Sequence, residues 1–116
     1  MRIALVANRR SGRGLDPAWL ASLLGGAEIF GLDELVRIAG VDRIVVCGMM
    51  TSMCVDATVR AAVDLGYDVS VAHDACATMP LEFGDRRVEA PDVHAAFLAA
   101  LADGYAAVSP SAELAI

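Results

Sequence analysis

Thiol, hydroxyl and thioether side chains crowd one stretch of this chain, GMMTSMCVDAT at residues 48–58. Cys54 is the side chain in it that could act as a nucleophile. It follows an apolar run, DRIVVC, and opens a segment with helical spacing. A thiol at a strand-to-helix turn lies near free N–H groups and the positive end of the helix dipole, which favour thiolate. The same amides can hold the oxyanion formed when a thiolate attacks an acyl carbon. Gly48 permits a tight approach, and Thr51 is placed to cap the helix through its hydroxyl. The competing reading is a buried small side chain, because cysteine is among the most buried residue types.

Other residues offer chemistry less directly. His73 abuts Asp74 at the carboxyl end of an expected strand, where an imidazole could act as a base or lie near a ligand. His94 falls early in the last helix, and an ordinary hydrogen-bonded role competes for both histidines. Asp74 is expected to cap the turn that follows it. Met49, Met50, Met53 and Met79 could form a soft pocket wall or fill core and interface. Met49, Thr51 and His73 are therefore the candidate substrate contacts. Cys47 and Cys76 are expected in or near the core. The three cysteines lack the paired spacing of a zinc site, and no metal or cofactor is expected. In NRRSGRG, residues 8–14, Asn8, Ser11 and Gly12 could bind an anion, or the segment is simply an arginine-decorated turn.

Strands alternating with helices must position these groups. Arg2–Asn8 has the short apolar pattern of a buried strand, and Asp16-Pro17 opens a helix that ends at Gly25-Gly26. A short helix carries Leu32, Leu35, Val36 and Ile38 inward. Ile44–Cys47 is expected as a strand buried on both faces. From Ser52 to Leu65, Val55, Val59, Ala62 and Val63 follow helical spacing, with Asp56, Arg60 and Asp64 on the opposite face. Tyr67–Ala72 is the next strand. LEFGDRRVEAP, residues 81–91, is a solvated excursion turning at Gly84-Asp85. Pro91 and Asp92 open a last helix, with Val93, Phe97, Leu98 and Leu101 apolar and Gly104 closing it. Tyr105–Ser109 is a final strand, and SAEL a last helical turn. The pattern implies one α/β domain over residues 1–116. It would be a three-layer sandwich around a mainly parallel sheet of about four or five strands.

Composition narrows the partners. The chain has 116 residues, 57% hydrophobic, and a mean hydropathy of +0.55, which argues against disorder. Nine basic residues, all arginine, face fifteen acidic ones, for a net charge of −6. That balance disfavours nucleic acid and anionic lipid as partners. With no targeting pattern and no apolar run of membrane-spanning length, a soluble, reduced, cytoplasmic protein is expected.

From about residue 30 to 114 the chain resembles the C-terminal half of isochorismatase-like cysteine hydrolases, a family that includes nicotinamidases. The stretches that carry the likeness are VDRIVVCGMMTSMCVDATVRAAVDLGYDV, VAHDACAT, DVHAAFLAALADGYAAV and SAEL, in family order. The resemblance implies that Cys54 is the nucleophile. It also implies a cis peptide between Met49 and Met50, with the N–H groups of Met50 and Cys54 as the oxyanion hole. It further implies a small-molecule substrate cleaved at a C–N or vinyl-ether bond, and a homo-oligomer.

This chain departs from that pattern. The family's nucleophile works with an aspartate at the end of its first strand and a lysine before a segment like Phe30–Leu35. Here Asn8 ends the first strand, and no lysine occurs. Asn8 cannot act as a base, and the guanidinium groups of Arg9, Arg10 and Arg13 do not shuttle protons at neutral pH. The aspartate-and-histidine metal site of nicotinamidases is missing as well. The expectation is a cysteine hydrolase impaired in proton handling, the alternative a non-catalytic α/β binding or assembly domain. Residues 1–30 resemble the opening strand and loop of diacylglycerol kinase-like lipid kinases, through N-x-x-S-G-x-G. A third reading is therefore a nucleotide- or lipid-kinase relic, although that family's glycine-glycine-aspartate-glycine-threonine run is absent. Residues 1–30 would then be an atypical first unit before an isochorismatase-like part, residues 31–116. Such a composite should leave a sheet edge exposed, which another subunit could cover.

Overall fold

A computed structural model describes residues 4–6, 28–30 and 42–114. The chain divides into two compact units, Met1–Gly40 with Ile116, and Val41–Ala115. In the first, β1 (Ala4–Val6) pairs in parallel with β2 (Glu28–Phe30), Ala4 opposite Glu28 and Val6 opposite Phe30. β1 lies inside the expected Arg2–Asn8 strand. β2 was not expected, because three residues carry no period of their own. The two helices expected between residues 16 and 40, and the turn bearing Asn8, Ser11 and Gly12, lie outside the described residues.

The second unit is built on a parallel sheet in the order β3-β4-β7. β3 spans Arg43–Met49, β4 Asp68–Ala77 and β7 Ala107–Ser109. A π-helical turn, Thr51–Val55, runs into α1, Asp56–Asp64, and the two together cross from β3 to β4. α2, Ala90–Gly104, crosses from β4 to β7. Between β4 and α2 stands an antiparallel hairpin, β5 (Leu81–Phe83) and β6 (Arg86–Val88). It turns at Gly84, whose φ of 61° suits the residue without a Cβ. A 3-10 turn, Ser111–Glu113, follows β7. The fold is α/β, with its crossover strands parallel.

Helix ends follow from local chemistry. α1 closes in a Schellman motif: Tyr67 N–H donates to the Ala62 carbonyl at 3.1 Å and Gly66 N–H to that of Val63 at 2.9 Å. Gly66 takes the required left-handed conformation, with φ 89°. α2 opens at Glu89, whose carbonyl accepts the N–H groups of Asp92 and Val93, both at 3.0 Å, with Pro91 in the first turn. It closes when Tyr105 and Ala106 both donate to the Leu101 carbonyl at 2.9 Å. That helical exit occupies two residues expected in the last strand, so β7 starts only at Ala107.

Val55, Val59 and Ala62 face inward, at the spacing read from sequence, with Val69 and Val71 of β4 and Val93 and Leu101 of α2. Val63, Phe97 and Leu98 are half-buried. On the outer side of α1, Arg60 holds Asp56 through both carboxylate oxygens at 3.0 Å. Its guanidinium lies 4.4 Å from the centre of the Tyr105 ring, which ties α1 to the end of α2.

Two expectations about the sheet fail. β3 is not buried on both faces: Val45, Cys47 and Met49 are exposed while Ile44, Val46 and Gly48 are half-buried. The alternation means that one face of the strand lies uncovered among the described residues. β4 does not stop at Ala72 but runs to Ala77 through a bulge. Val46 pairs with Val71 and Gly48 with Cys76, so β4 takes five steps where β3 takes two. The surplus residues, around His73 and Asp74, are thrown out of the ladder, and the chain rejoins it at Cys76.

Candidate active site

The turn that carries Cys54 begins where β3 ends. Gly48 has φ 126°, a conformation that L side chains rarely adopt, and the Met49–Met50 peptide bond is cis. Met50 is extended and half-buried, and its carbonyl accepts two amides, Met53 N–H at 3.0 Å and Val55 N–H at 3.2 Å. The second bond spans five residues and makes the turn wide, a π-type closure often found at functional sites. Thr51 and Val55 point inward, while Met53 and Cys54 point out. Cys54 is thus an exposed thiol at the carboxyl end of a parallel strand, not a packed one. It sits within the π turn; the regular helix starts only at Asp56.

The other two thiols differ from it. Cys47, expected in the core, is exposed on the open side of β3. Cys76 is half-buried, and burial pushes its thiol pKa up, opposed in part by a hydrogen bond with the Gly48 backbone.

Thr51 does not cap the turn: no side chain does so at Met50. Thr51 is instead fully buried, at 0% exposure, with Oγ1 2.9 Å from Nδ1 of His94 in α2. Ser52 Oγ lies 2.9 Å from Thr78 Oγ1, just past the end of β4. These two contacts bring together groups 43 and 26 residues apart. Neither pairing was visible in the sequence. The signal available was only that a hydroxyl pair precedes Cys54 and that a histidine opens the last helix.

His73 is half-buried on the β4 bulge. Its neighbour Asp74 is fixed elsewhere, accepting Ser111 N–H and Ser111 Oγ–H, both at 2.7 Å. These bonds hold the Asp74 carboxyl below its usual pKa and pin the 3-10 turn to β4. Asp74 does cap a turn, but one 37 residues on. Met49, Met53 and Met79 are all more than half exposed and surround no packed core. Asn8, Ser11 and Gly12 cannot be placed, lying outside the described residues.

An open hollow of about 240 Å³ lies at the carboxyl end of β4, lined by Cys76, Ala77, Thr78, Ala90, Pro91 and His94. Cys54 is not among its lining residues. His94 connects the two places, because the same imidazole lines the hollow and meets Thr51. No group of three potential metal ligands occurs among the described residues.

Residues 27–113 match the family model described as Isochorismatase domain. The isochorismatase family protein YddQ of Bacillus subtilis is 56% identical over 77 residues, 66% of this chain and 43% of that protein. A streptothricin hydrolase of Streptomyces noursei is 50% identical over 48 residues, 41% of this chain and 17% of that enzyme. Among solved structures, a cysteine hydrolase from Pseudomonas syringae superposes with a TM-score of 0.69 at 31% identity, covering 76% of this chain and 47% of the other. The chain thus spans less than half the length of each of these relatives. The family match begins at residue 27, past Asn8–Gly14.

Proposed function

The chain belongs to the isochorismatase family, and we propose that it performs that family's thiol chemistry through Cys54 on a small molecule. The observation that carries this reading is the exposed Cys54 thiol on a wide turn at the carboxyl end of β3, inside the family match. In the reaction, the Cys54 sulfur bonds to the carbonyl carbon of an amide-like or ester substrate. The N–H groups of Met50 and Cys54 hold the oxyanion. Collapse expels the amine or alcohol, which leaves with the proton that the thiol gave up. Water then attacks the thioester, releasing the acid and restoring the thiol. Each proton passes through solvent, because Asn8 supplies no base and the chain has no lysine. Turnover is therefore slow for a cysteine hydrolase, since a positioned acid–base group contributes typically about 10²–10⁴-fold.

Met49, at the end of β3, and His73, on the β4 bulge, stand as candidate substrate contacts. Thr51 acts from behind the turn, its side chain being buried. A homo-oligomer belongs to the same proposal, tested by sedimentation velocity over a range of concentrations; a single monomer peak throughout would remove it.

Catalysis is tested by incubating the chain with a panel of small amides and activated esters and following acid release. Release that Cys54→Ala abolishes supports the hydrolase. Ligand-induced thermal stabilisation with no release, unchanged in Cys54→Ala, would favour a binding domain instead.

A further inference from the structure

We propose that Thr51 and His94 form a positioning pair that sets the attitude of the Cys54 turn, an inference resting on Cys54 as the reactive thiol. Thr51 is the first residue of the turn and Cys54 the fourth. The Thr51 side chain is fully buried and hydrogen-bonds with His94 Nδ1 at 2.9 Å. The next residue, Ser52, is tied by its hydroxyl to Thr78 at 2.9 Å. Two consecutive residues at the root of the turn are therefore fastened to two different elements, α2 and the end of β4.

Such fastening has a mechanical purpose here. A π-type turn is rare and occurs mostly as a single turn within a helix, so its surroundings matter to its shape. Its own closure is the 3.2 Å bond from Val55 to Met50. The Thr51 tie fixes the near end of the turn, and the buried Val55 fixes the far end. Cys54, the exposed residue between them, inherits its direction from both. Reaction rates depend steeply on such direction, because a misplacement of about 1 Å can cost on the order of 10²-fold. The contact also specifies which imidazole atom matters. Thr51 meets Nδ1, the ring nitrogen nearer the backbone. An asparagine side chain can set an amide atom near that position, whereas glutamine carries its amide further out, toward Nε2.

The test uses the full chain with Thr51→Val, Thr51→Ser, His94→Ala, His94→Asn and His94→Gln. Two rates are read by peptide mass spectrometry: iodoacetamide alkylation of Cys54 relative to exposed Cys47 in the same sample, and acylation of Cys54 by p-nitrophenyl acetate. Thermal midpoints are recorded alongside. Thr51→Val and His94→Ala should lower both the alkylation ratio and the acylation rate by about tenfold. Thr51→Ser and His94→Asn should recover most of that loss, and His94→Gln should not. A mere stability effect would lower thermal midpoints without moving the Cys54:Cys47 ratio. An unchanged ratio in Thr51→Val and His94→Ala overturns the proposal, as does an asparagine variant as impaired as the alanine one. Should the alanine variant not fold, an unchanged ratio in His94→Gln overturns it equally. Failure of the hydrolase reading is separable: wild-type Cys54 would not acylate, while the alkylation ratio would still fall with the Thr51–His94 contact.

Discussion

At the scale of single residues, the thiol was legible and its support was not. Cys54 could be picked out because residue type, apolar run and helical spacing all belong to one continuous stretch. His94 and Thr51 are 43 residues apart, and nothing local to either indicates the other. Cys47 departs from expectation for a different reason: an apolar strand reads as covered on both faces, and this side chain falls on the open one. Gly48 invites a direct test. An added Cβ there would meet nothing within 4 Å, so any penalty comes from the φ of 126° alone. Gly48→Ala should lower unfolding free energy by about 1–3 kcal/mol in a denaturant titration. A neutral result would mean that the turn relaxes freely. Asp74 gives a pH prediction. Its folded-state pKa is depressed by the Ser111 bonds, so its stabilisation is present above the ordinary value of 3.8 and is lost as pH falls through the folded pKa. The stability difference between wild type and Asp74→Ala should therefore shrink as pH drops below 3.8. A difference that grows on acidification would contradict the assignment.

At the scale of elements, the helices were readable because each buries a stripe at its own period, whereas the sheet's irregularities were not. Val55, Val59 and Ala62 could be assigned to a core face from spacing alone, and Leu101 likewise at the end of α2. The β4 bulge leaves no such trace: HDACA has no period to betray five steps against two. Yet that bulge brings Cys76–Ala77 level with Gly48–Met49 and sets Thr78 beside Ser52. The hairpin was visible through Gly84-Asp85, and its expected solvation holds, with Phe83 88% exposed. Two substitutions separate buried from merely apolar residues. Leu101→Ala should cost about 2–5 kcal/mol by chemical denaturation. Phe83→Ser should stay within about 0.5 kcal/mol of wild type. Comparable losses at both positions would mean that the hairpin is packed against something in solution.

At the scale of the whole molecule, residues 27–113 carry the family match and residues 42–114 carry the described site. What reaches Cys54 from Val41–Ala115 is a scaffold: an exposed thiol, a wide turn beneath it and two side-chain ties behind it. The sequence holds no lysine, and Asn8 stands where the family resemblance calls for an aspartate. The central claim is accordingly narrow, that this scaffold makes Cys54 chemically distinct from Cys47, a second exposed thiol of the same chain. The most direct measurement mixes the protein with p-nitrophenyl acetate and follows acetylation of each cysteine over time by peptide mass spectrometry. The account predicts an adduct that forms first on Cys54, decays as water releases acetate, and is absent in Cys54→Ala. Equal, stable labelling of Cys47 and Cys54 would contradict it.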